Sequence, residues 1–393
     1  MERERAADGA GLRPPPWRDV RVLRIAFQVL VVGIVAGLGL YLVGNLTSNL
    51  DRQGIRTDFG YLSQPAGFAI ADTSFRSTDS VLDALKVGIR NTAVLSLIGI
   101  VFALFLGIVV GVARLSRNWL VRKAAAVYVE SLRNIPVLVI IIFFYIAVVL
   151  RLPPIQQASE WFGAAVISNS GAVLPSLRDA GAANLFTLFV VAGFVAGAAV
   201  AWMRTRRFDR TGEPHHRVLW FAGVFFVVAG AAYLVLGRPV AFSLPVRDGL
   251  VVAGGIRMPP EFAAMLVGLV VYTASHIAEI VRGSILAVAR GQSEAATALG
   301  LTDFQRLRFV VLPQAFRIMI PPLANQFLNL TKNSSLAVFI GYADVASVTG
   351  IIVSQGNPAP QSIVLLMAVY LVFSLTISLV TNTVNRRMTL TTR

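Results

Sequence analysis

Long, nearly uncharged apolar runs dominate this 393-residue sequence, and they limit what it can fold into. About 20 apolar residues in helical form cross the roughly 30 Å of a bilayer's hydrocarbon core. There the backbone must satisfy its own hydrogen bonds, so runs of that length read as membrane-spanning helices. Eight such spans can be drawn, at about residues 22–43, 92–113, 135–150, 182–203, 218–236, 262–281, 317–336 and 363–384. Composition agrees. Only 14% of residues are charged and 56% are hydrophobic, against about 25% and about 45–50% in soluble domains. The mean hydropathy is +0.70. A soluble enzyme and a DNA-binding protein are poor descriptions of such a chain. The first run exceeds the roughly 7–15 residues of a signal-peptide core and reads as a retained helix.

The net charge of +15 points first to nucleic acid, but its distribution gives another reason. With the N-terminus in the cytoplasm, most of the 35 lysines and arginines fall in tails and loops on that side. Arg114, Arg117, Arg122, Lys123 and Arg133 form one group, Arg204, Arg206, Arg207, Arg210 and Arg217 a second, and Arg282, Arg290, Arg306, Arg308 and Arg317 a third. The positive-inside rule accounts for this pattern with both termini cytoplasmic, and no nucleic-acid partner is needed.

The chain has no cysteine, which removes disulfides, thiolate metal sites and cysteine nucleophiles. None of its lysines, Lys86, Lys123 and Lys332, follows a glycine-rich phosphate loop, and no H-E-x-x-H or G-x-S-x-G pattern occurs. If the work is driven by ATP, another subunit carries the nucleotide. His215-His216 suggest a metal only in isolation, since no third ligand is near. Gly107 with Gly111, and Gly193 with Gly197, are spaced as small residues that let two helices approach closely.

The segment most dense in signals lies between the sixth and seventh spans. Gly291-Gln292-Ser293-Glu294-Ala295-Ala296 opens a short helix, which Gly300 is placed to stop in the left-handed conformation. Thr302 can then cap the next helix, with Gln305 as its capping-box partner, and Leu312-Pro313 follow. The pattern predicts helix, sharp turn, helix. Ala295 and Ala296 would let it sit deep in a groove while Glu294 meets a basic residue of a partner.

Glu294-Ala295-Ala296, Gly300 and Leu312-Pro313 resemble the EAA loop of permease subunits of ATP-binding-cassette importers. Tyr272-Thr273-Ala274, Glu279, Arg282-Gly283-Ser284-Ile285 and Gly291-Gln292 are similar to the polar amino-acid branch of that family, with departures at Ser284 and His276. Asn91-Thr92 and the stretch from Glu130 to Pro136 resemble its first core helices, although Asn134-Ile135 stand where Gly-Thr is usual. Lys332-Asn333-Ser334-Ser335-Leu336 resembles its Lys-Asp-Thr-Ser-Leu stretch. The likeness covers about residues 83–150 and 260–384, and the eight-span arrangement is similar to the longer permease of general L-amino-acid and of glutamate, glutamine and aspartate importers.

The resemblance implies an all-α integral membrane fold, with a type I importer core of five helices and three additional helices. It divides the chain into a cytoplasmic tail (1–21), an extra N-terminal helix (22–43), an external loop (44–85) with room for short amphipathic helices, a first permease-core segment (86–150), a two-helix insertion (151–258), a second permease-core segment (259–385) with the coupling loop at 289–313, and a second tail (386–393). It implies a bacterial inner-membrane location and partners in a dimer of ATPase subunits, a second permease, a periplasmic substrate-binding protein and membrane lipid. No cofactor is expected in this chain, with ATP and Mg held by the ATPase. The implied activity is import of polar L-amino acids by alternating access, with Gly291, Gln292, Glu294, Ala295, Ala296, Gly300, Leu312 and Pro313 as the coupling segment.

Candidate passage residues are His276, Glu279, Asn325, Asn329 and Lys332, each with a plainer reading beside it. Glu279 and Arg282, three apart, can pair on one helix face, either for function or as an interfacial anchor. His276 either lines the passage or donates a hydrogen bond between helices. Asn325, Asn329 and Lys332 share a face of the seventh span. They either contact substrate or satisfy backbone freed by Pro321 and Pro322, which are expected to interrupt that span. A proton-coupled secondary transporter working through Glu279 and His276 is the alternative, but such folds often carry broken helices in paired halves and one broken segment is found here.

Overall fold

The computed structural model describes residues 17, 19–52, 54, 58–211, 216–249 and 251–388. Most of the two tails and His215 lie outside them. The α-helices in chain order are α1 (Val20–Arg52), α2 (Val81–Ala113), α3 (Trp119–Arg133), α4 (Val137–Phe143), α5 (Ala183–Thr211), α6 (Arg217–Val235), α7 (Pro260–Leu286), α8 (Arg290–Ala298), α9 (Asp303–Arg306), α10 (Leu312–Asn333), α11 (Val345–Ser354) and α12 (Ala359–Met388). By length and apolarity, 7 helical segments among the described residues can cross a membrane, or up to 8 when the bent pair Trp119–Arg133 and Val137–Arg151 is one span. Their outward surfaces are apolar and exposed, as in Phe27, Val35 and Tyr41 of α1 and Leu371 and Leu379 of α12. Only lipid or another subunit can cover that much apolar area.

The core forms where α2, α4, α7 and α10 meet, around Leu95, Ala103, Ile141, Met265, Leu269, Ile277, Ala315 and Leu330. The closest approach is between α2 and α7. A Cβ on Gly107 would stand 2.5 Å from Ile277 Cγ2 and 3.1 Å from the Ala274 carbonyl. On Gly111 it would stand 2.8 Å from both the Ala278 carbonyl and Val281 Cβ. With Ala103 these glycines form a stripe at four-residue spacing, so the two backbones touch where side chains would hold them apart. Gly193 and Gly197 do the same between α5 and α6, against Val228 and Phe221.

Several boundaries differ from the sequence reading. The second span begins at Val81, about three turns before residue 92, because Ser80 caps the helix by accepting from the Asp83 amide. In the described part of the loop before it stands a 3₁₀ turn, Gly60–Ser63, whose Tyr61 joins Phe75, Val81, Leu85, Val348 and Ile352 in a second, smaller core. The third span turns through 106° from α3, because Pro136 cannot continue a helix through Asn134 and Ile135. It finishes in π and 3₁₀ turns as far as Arg151.

The seventh span is not interrupted at Pro321 and Pro322. α10 runs through both, and each proline removes one backbone hydrogen bond without ending the helix. The irregular backbone lies at its two ends, a π turn over Leu307–Val311 and a 3₁₀ segment over Ser334–Ile340.

Among the described residues, eight short strands that the hydropathy pattern does not predict flank the α5–α6 hairpin. β1 (Ser159–Trp161), β2 (Ala165–Ser168), β3 (Gly171–Leu174) and β8 (Ile256–Met258) make an antiparallel sheet in the order β1-β2-β3-β8. β4 (Ser176–Asp179) pairs with β5 (Val240–Ser243), and β6 (Val246–Asp248) with β7 (Val251–Ala253). Runs of three or four residues carry too little period-two pattern to be read beside spans five times longer. Just before α5, Asp179 accepts from the amides of Gly181 and Ala183, which hold its carboxyl below the usual carboxylate range. α5 and α6 pack chiefly on each other.

The glycine stripe generates a direct test. Gly111→Ala places a methyl against backbone and is expected to destabilise the detergent-solubilised chain by about 1–3 kcal/mol, read as a lower unfolding temperature. Gly230→Ala, where a Cβ meets nothing within 4 Å, is the control and should hold or raise it. Equal behaviour of the two would show that the α2–α7 contact does not depend on the missing side chain.

Candidate functional site

The predicted helix, turn and helix stand between α7 and α10. α8 ends as Gly300, at φ 76°, sends its amide to the Thr297 carbonyl while the Leu301 amide reaches the Ala296 carbonyl at 3.2 Å. This pairing closes a helix only with a left-handed residue, and glycine adopts that conformation without a Cβ clash. Thr302 then accepts from the Gln305 amide at 3.3 Å, and Gln305 Oε1 accepts from the Thr302 amide at 2.9 Å. Arg306 donates to Thr297 Oγ1 and pairs with Asp303 at 3.0 Å, cross-bracing α8 and α9. Gln314 donates to Gln292 at 3.1 Å, fastening the start of α8 to the start of α10.

Only Ala296 of the central triplet is buried. It faces inward, α8 as a whole packing beside the π turn, whereas Glu294 and Ala295 are exposed. Glu294 lines a shallow hollow of about 380 Å³ with Ser293, Thr297, Ala298 and Arg306, and among the described residues it forms no ion pair. Gly291 and Pro313 are exposed and Leu312 is half-buried. Two features escaped the sequence reading. Leu299 is 81% exposed and Phe304 is 67% exposed on the same hairpin, large apolar groups standing in a polar loop. That contrast was the available signal.

At the end of α7 nearest this hairpin, Glu279 pairs with Arg282 and with Arg114, which caps the end of α2. Arg282 Nε donates to Glu279 Oε2 at 3.2 Å, and Glu130 of α3 lies 3.7 Å from Arg114. Arg114 thus joins the end of α2 to Glu279 of α7 and to Glu130 of α3. Spacing along a helix disclosed the Glu279–Arg282 pair; Arg114, 165 residues from Glu279, leaves no such trace.

The remaining candidates occupy different places. His276 is half-buried, its Nδ1 3.2 Å from the Tyr272 carbonyl and 3.3 Å from Ser275 Oγ, with its ring against Tyr272. All these partners belong to its own helix. Asn325, Asn329 and Lys332 are exposed on one side of α10, opposite the buried Leu323, Leu330 and Thr331. Among the described residues no hydrogen bond or ion pair joins His276, Glu279 and the α10 trio to one another, so they do not form a single polar site within this chain.

Asn91 and Thr92 lie inside α2. Asn91 donates to the Ala343 carbonyl at 2.9 Å, and Thr92 Oγ1 accepts from the Val345 amide at 3.0 Å. Beside them the fully buried Asp344 caps α11 through the Ser347 amide and accepts from Tyr370 Oη. Tyr370 Oη in turn lies 3.4 Å from Ser334 Oγ, which connects the Lys332–Leu336 stretch to α12.

Residues 218–390 match the family of the binding-protein-dependent transport system inner membrane component. The chain is 39% identical over 378 residues to the general L-amino acid transport system permease protein AapQ of Rhizobium johnstonii, covering 95% of this chain and 94% of that protein. It is also 39% identical to the putative amino-acid ABC transporter permease protein YhdX of Escherichia coli K12, over 93% of this chain and 94% of the relative. The glutamate/glutamine/aspartate/asparagine transport system permease protein BztB of Rhodobacter capsulatus is 34% identical, over 95% and 96%. A solved amino acid ABC transporter aligns with 78% of this chain and 94% of its own, at 19% identity and a TM-score of 0.47.

The chain belongs to the permease subunits of ATP-binding-cassette amino-acid importers. As such it is a multi-pass inner-membrane protein and a transport subunit, not an enzyme, and ATP hydrolysis belongs to a separate subunit of the system. Family membership brings an ATPase and a substrate-binding protein as partners. It also favours an ATP-driven importer over a proton-coupled transporter.

The Glu279 cluster of the permease generates a thermodynamic test. Removing one partner of a fully buried pair costs about 3–5 kcal/mol. Here the side chains are 15% to 31% exposed, so solvent screens part of the interaction and Glu279→Gln is expected to cost about 1–2 kcal/mol. In a double-mutant cycle with Arg114→Gln, thermal unfolding should give a coupling of at least about 0.5 kcal/mol. Additive losses would mean that this pair does not hold α2 to α7.

Proposed function

We propose that this permease imports polar L-amino acids by alternating access, with the α8–α9 hairpin as its contact to the ATPase. The observation that carries the reading is the surface of that hairpin. It is braced internally by Gly300, Thr302, Gln305 and Arg306, yet turns Glu294, Leu299 and Phe304 outward. A rigid element presenting one unpaired carboxylate and two bare apolar side chains suits a partner with a basic residue beside an apolar groove. Gly291, Gln292, Ala295, Ala296, Leu312 and Pro313 position this element rather than contact nucleotide. ATP and Mg belong to two ATPase copies, and closure of that pair on ATP would drive the hairpin and with it α7 and α10.

The finer arrangement follows from the same reading. A second permease completes the passage, a periplasmic binding protein delivers substrate from the opposite face, and both termini are cytoplasmic, on the hairpin's side. Residues 86–150 and 259–385 form the working core and 151–258 the insertion. The exposed side of α10 with Asn325, Asn329 and Lys332 has the chemistry a zwitterionic solute needs, amide donors and acceptors beside a cation. Its exposure supports a passage shared with the second permease. His276 and Glu279 stand nearer the hairpin, where Glu279 is committed to arginine. The likeness to permeases named for general L-amino acids, and for glutamate, glutamine, aspartate and asparagine, supports the substrate class.

Glu294→Arg in the assembled transporter is expected to lower uptake at least about tenfold, as loss of a charge-paired contact does, with the permease still present in the membrane. Native uptake in that variant removes Glu294 from the coupling contact. Asn329→Leu should lower uptake while leaving co-purification of the ATPase intact; unchanged uptake and selectivity would take Asn329 out of the passage.

A further inference from the structure

Where α2, α3 and α7 come together beside the Glu279 cluster, a pocket of about 330 Å³ is lined by Arg114, Trp119, Arg122, Lys123, Ala126 and Arg282. Four of these six side chains are cationic and none is acidic. The carboxylates paired with them are Glu279, shared by Arg114 and Arg282, and Glu130, 3.7 Å from Arg114 and mostly exposed. Two acids against four bases leave positive charge unspent. Arg122 gives one Nη to the Ser116 carbonyl at 2.9 Å, which fixes the side chain and neutralises nothing. Lys123 is exposed and, among the described residues, has no ion-pair partner.

The helix that supplies most of the pocket has three faces. Ala125 and Val129 are buried, and Tyr128 Oη donates to the Val271 carbonyl at 2.7 Å, so this face is set on α7. Leu120, Ala124 and Val127, at i, i+4 and i+7, are exposed and apolar. Trp119, Arg122, Lys123 and Ala126 form the third face. A helix with an apolar stripe beside a cationic one, opened by an exposed tryptophan, lies in the plane of a membrane interface. Its bend of 106° from Val137–Arg151 fits that placement, one limb along the surface and the other entering the bilayer.

We propose that this pocket holds the phosphate of an anionic phospholipid from the leaflet on the α8 side, its acyl chains lying along Leu120, Ala124 and Val127. A phosphate diester with no amine accepts charge-assisted hydrogen bonds from Arg122, Lys123 and the free guanidinium N–H groups of Arg114 and Arg282. A zwitterionic headgroup brings its own ammonium into the same cationic space and is disfavoured. The bound lipid ties α3 to the ends of α2 and α7 at the point where α7 leads into α8. The inference stands whether or not α8–α9 proves to be the ATPase contact, since it rests on other side chains.

The test is native mass spectrometry of the full permease chain, titrated with phosphatidylglycerol, with phosphatidylcholine of the same acyl chains, and with glycerol 3-phosphate. The expected result is at least tenfold preference for phosphatidylglycerol over phosphatidylcholine, and about tenfold or greater weakening of that binding in Arg122→Gln/Lys123→Gln. The charge-retaining Arg122→Lys/Lys123→Arg pair should preserve the preference, and glycerol 3-phosphate should not displace the lipid at equal concentration. If the glutamine pair does not yield folded chain, Lys123→Gln alone carries the test, with about fivefold weakening expected. An unchanged preference in the glutamine variants overturns the site. Displacement by glycerol 3-phosphate at equal concentration overturns the lipid and makes this a pocket for soluble phosphate.

Discussion

Everything in the core is referred to the line along which α2 and α7 touch. Ala103, Gly107 and Gly111 on one helix face Ile277, Ala278 and Val281 on the other, and the absence of side chains on α2 sets how close the two axes come. Lipid supplies little hydrophobic driving force between helices, so van der Waals contact along such a groove is the main source of association. The neighbours take position from it. α4 leans on α7 through Ile141 at Gly268, α10 inserts Leu330 at Gly99, and the α11 backbone meets α2 at Gly88. Each contact again relies on a glycine to admit a bulky or backbone group from the other side.

The ion cluster and the hairpin are extensions of that line. Glu279 is one turn beyond Ser275 on α7, and its attachment to Arg114 pins the helix ends together just past the last glycine of the stripe. From there α7 passes through Leu286 into α8 with no long linker between them. A displacement of α8–α9 is therefore transmitted to a packed pair of helices rather than absorbed by a flexible loop. At the other limb of the hairpin the π turn over Leu307–Val311 sits directly before Leu312 and Pro313. π turns inside helices are uncommon and recur at functional places.

What the sequence disclosed was local. The stop at Gly300, the capping box from Thr302 to Gln305, the helix-spaced Glu279–Arg282 pair and the small-residue stripes all depend on neighbours within a few positions, and all are present. The long spans were legible because hydropathy sums over twenty residues. Partners far apart along the chain were not. Arg114 looked like one more residue of a basic loop, Asn91 and Thr92 gave no sign of their contacts at Ala343 and Val345, and the buried Asp344 passed unremarked. Pro321 and Pro322 misled because breakage is their usual effect, whereas α10 continues through them. The Ala295-Ala296 pair was expected to act as a unit, and the fold separates it, one methyl inward and one outward. The α3 helix hid for a related reason: its three faces average to a composition that is neither apolar nor polar.

α2 has 33 residues and no break, which makes it a rod about 50 Å long, well beyond the thickness of the hydrocarbon. One end is embedded in the small core of Tyr61, Phe75 and Val348; the other carries Arg114. α2 thus runs between the two faces of the membrane as a stiff strut, while the path through α10 carries π and 3₁₀ turns at both ends. Irregular turns yield more readily than unbroken helix, so a change of shape between the two sides is accommodated more easily at the ends of α10 than along α2.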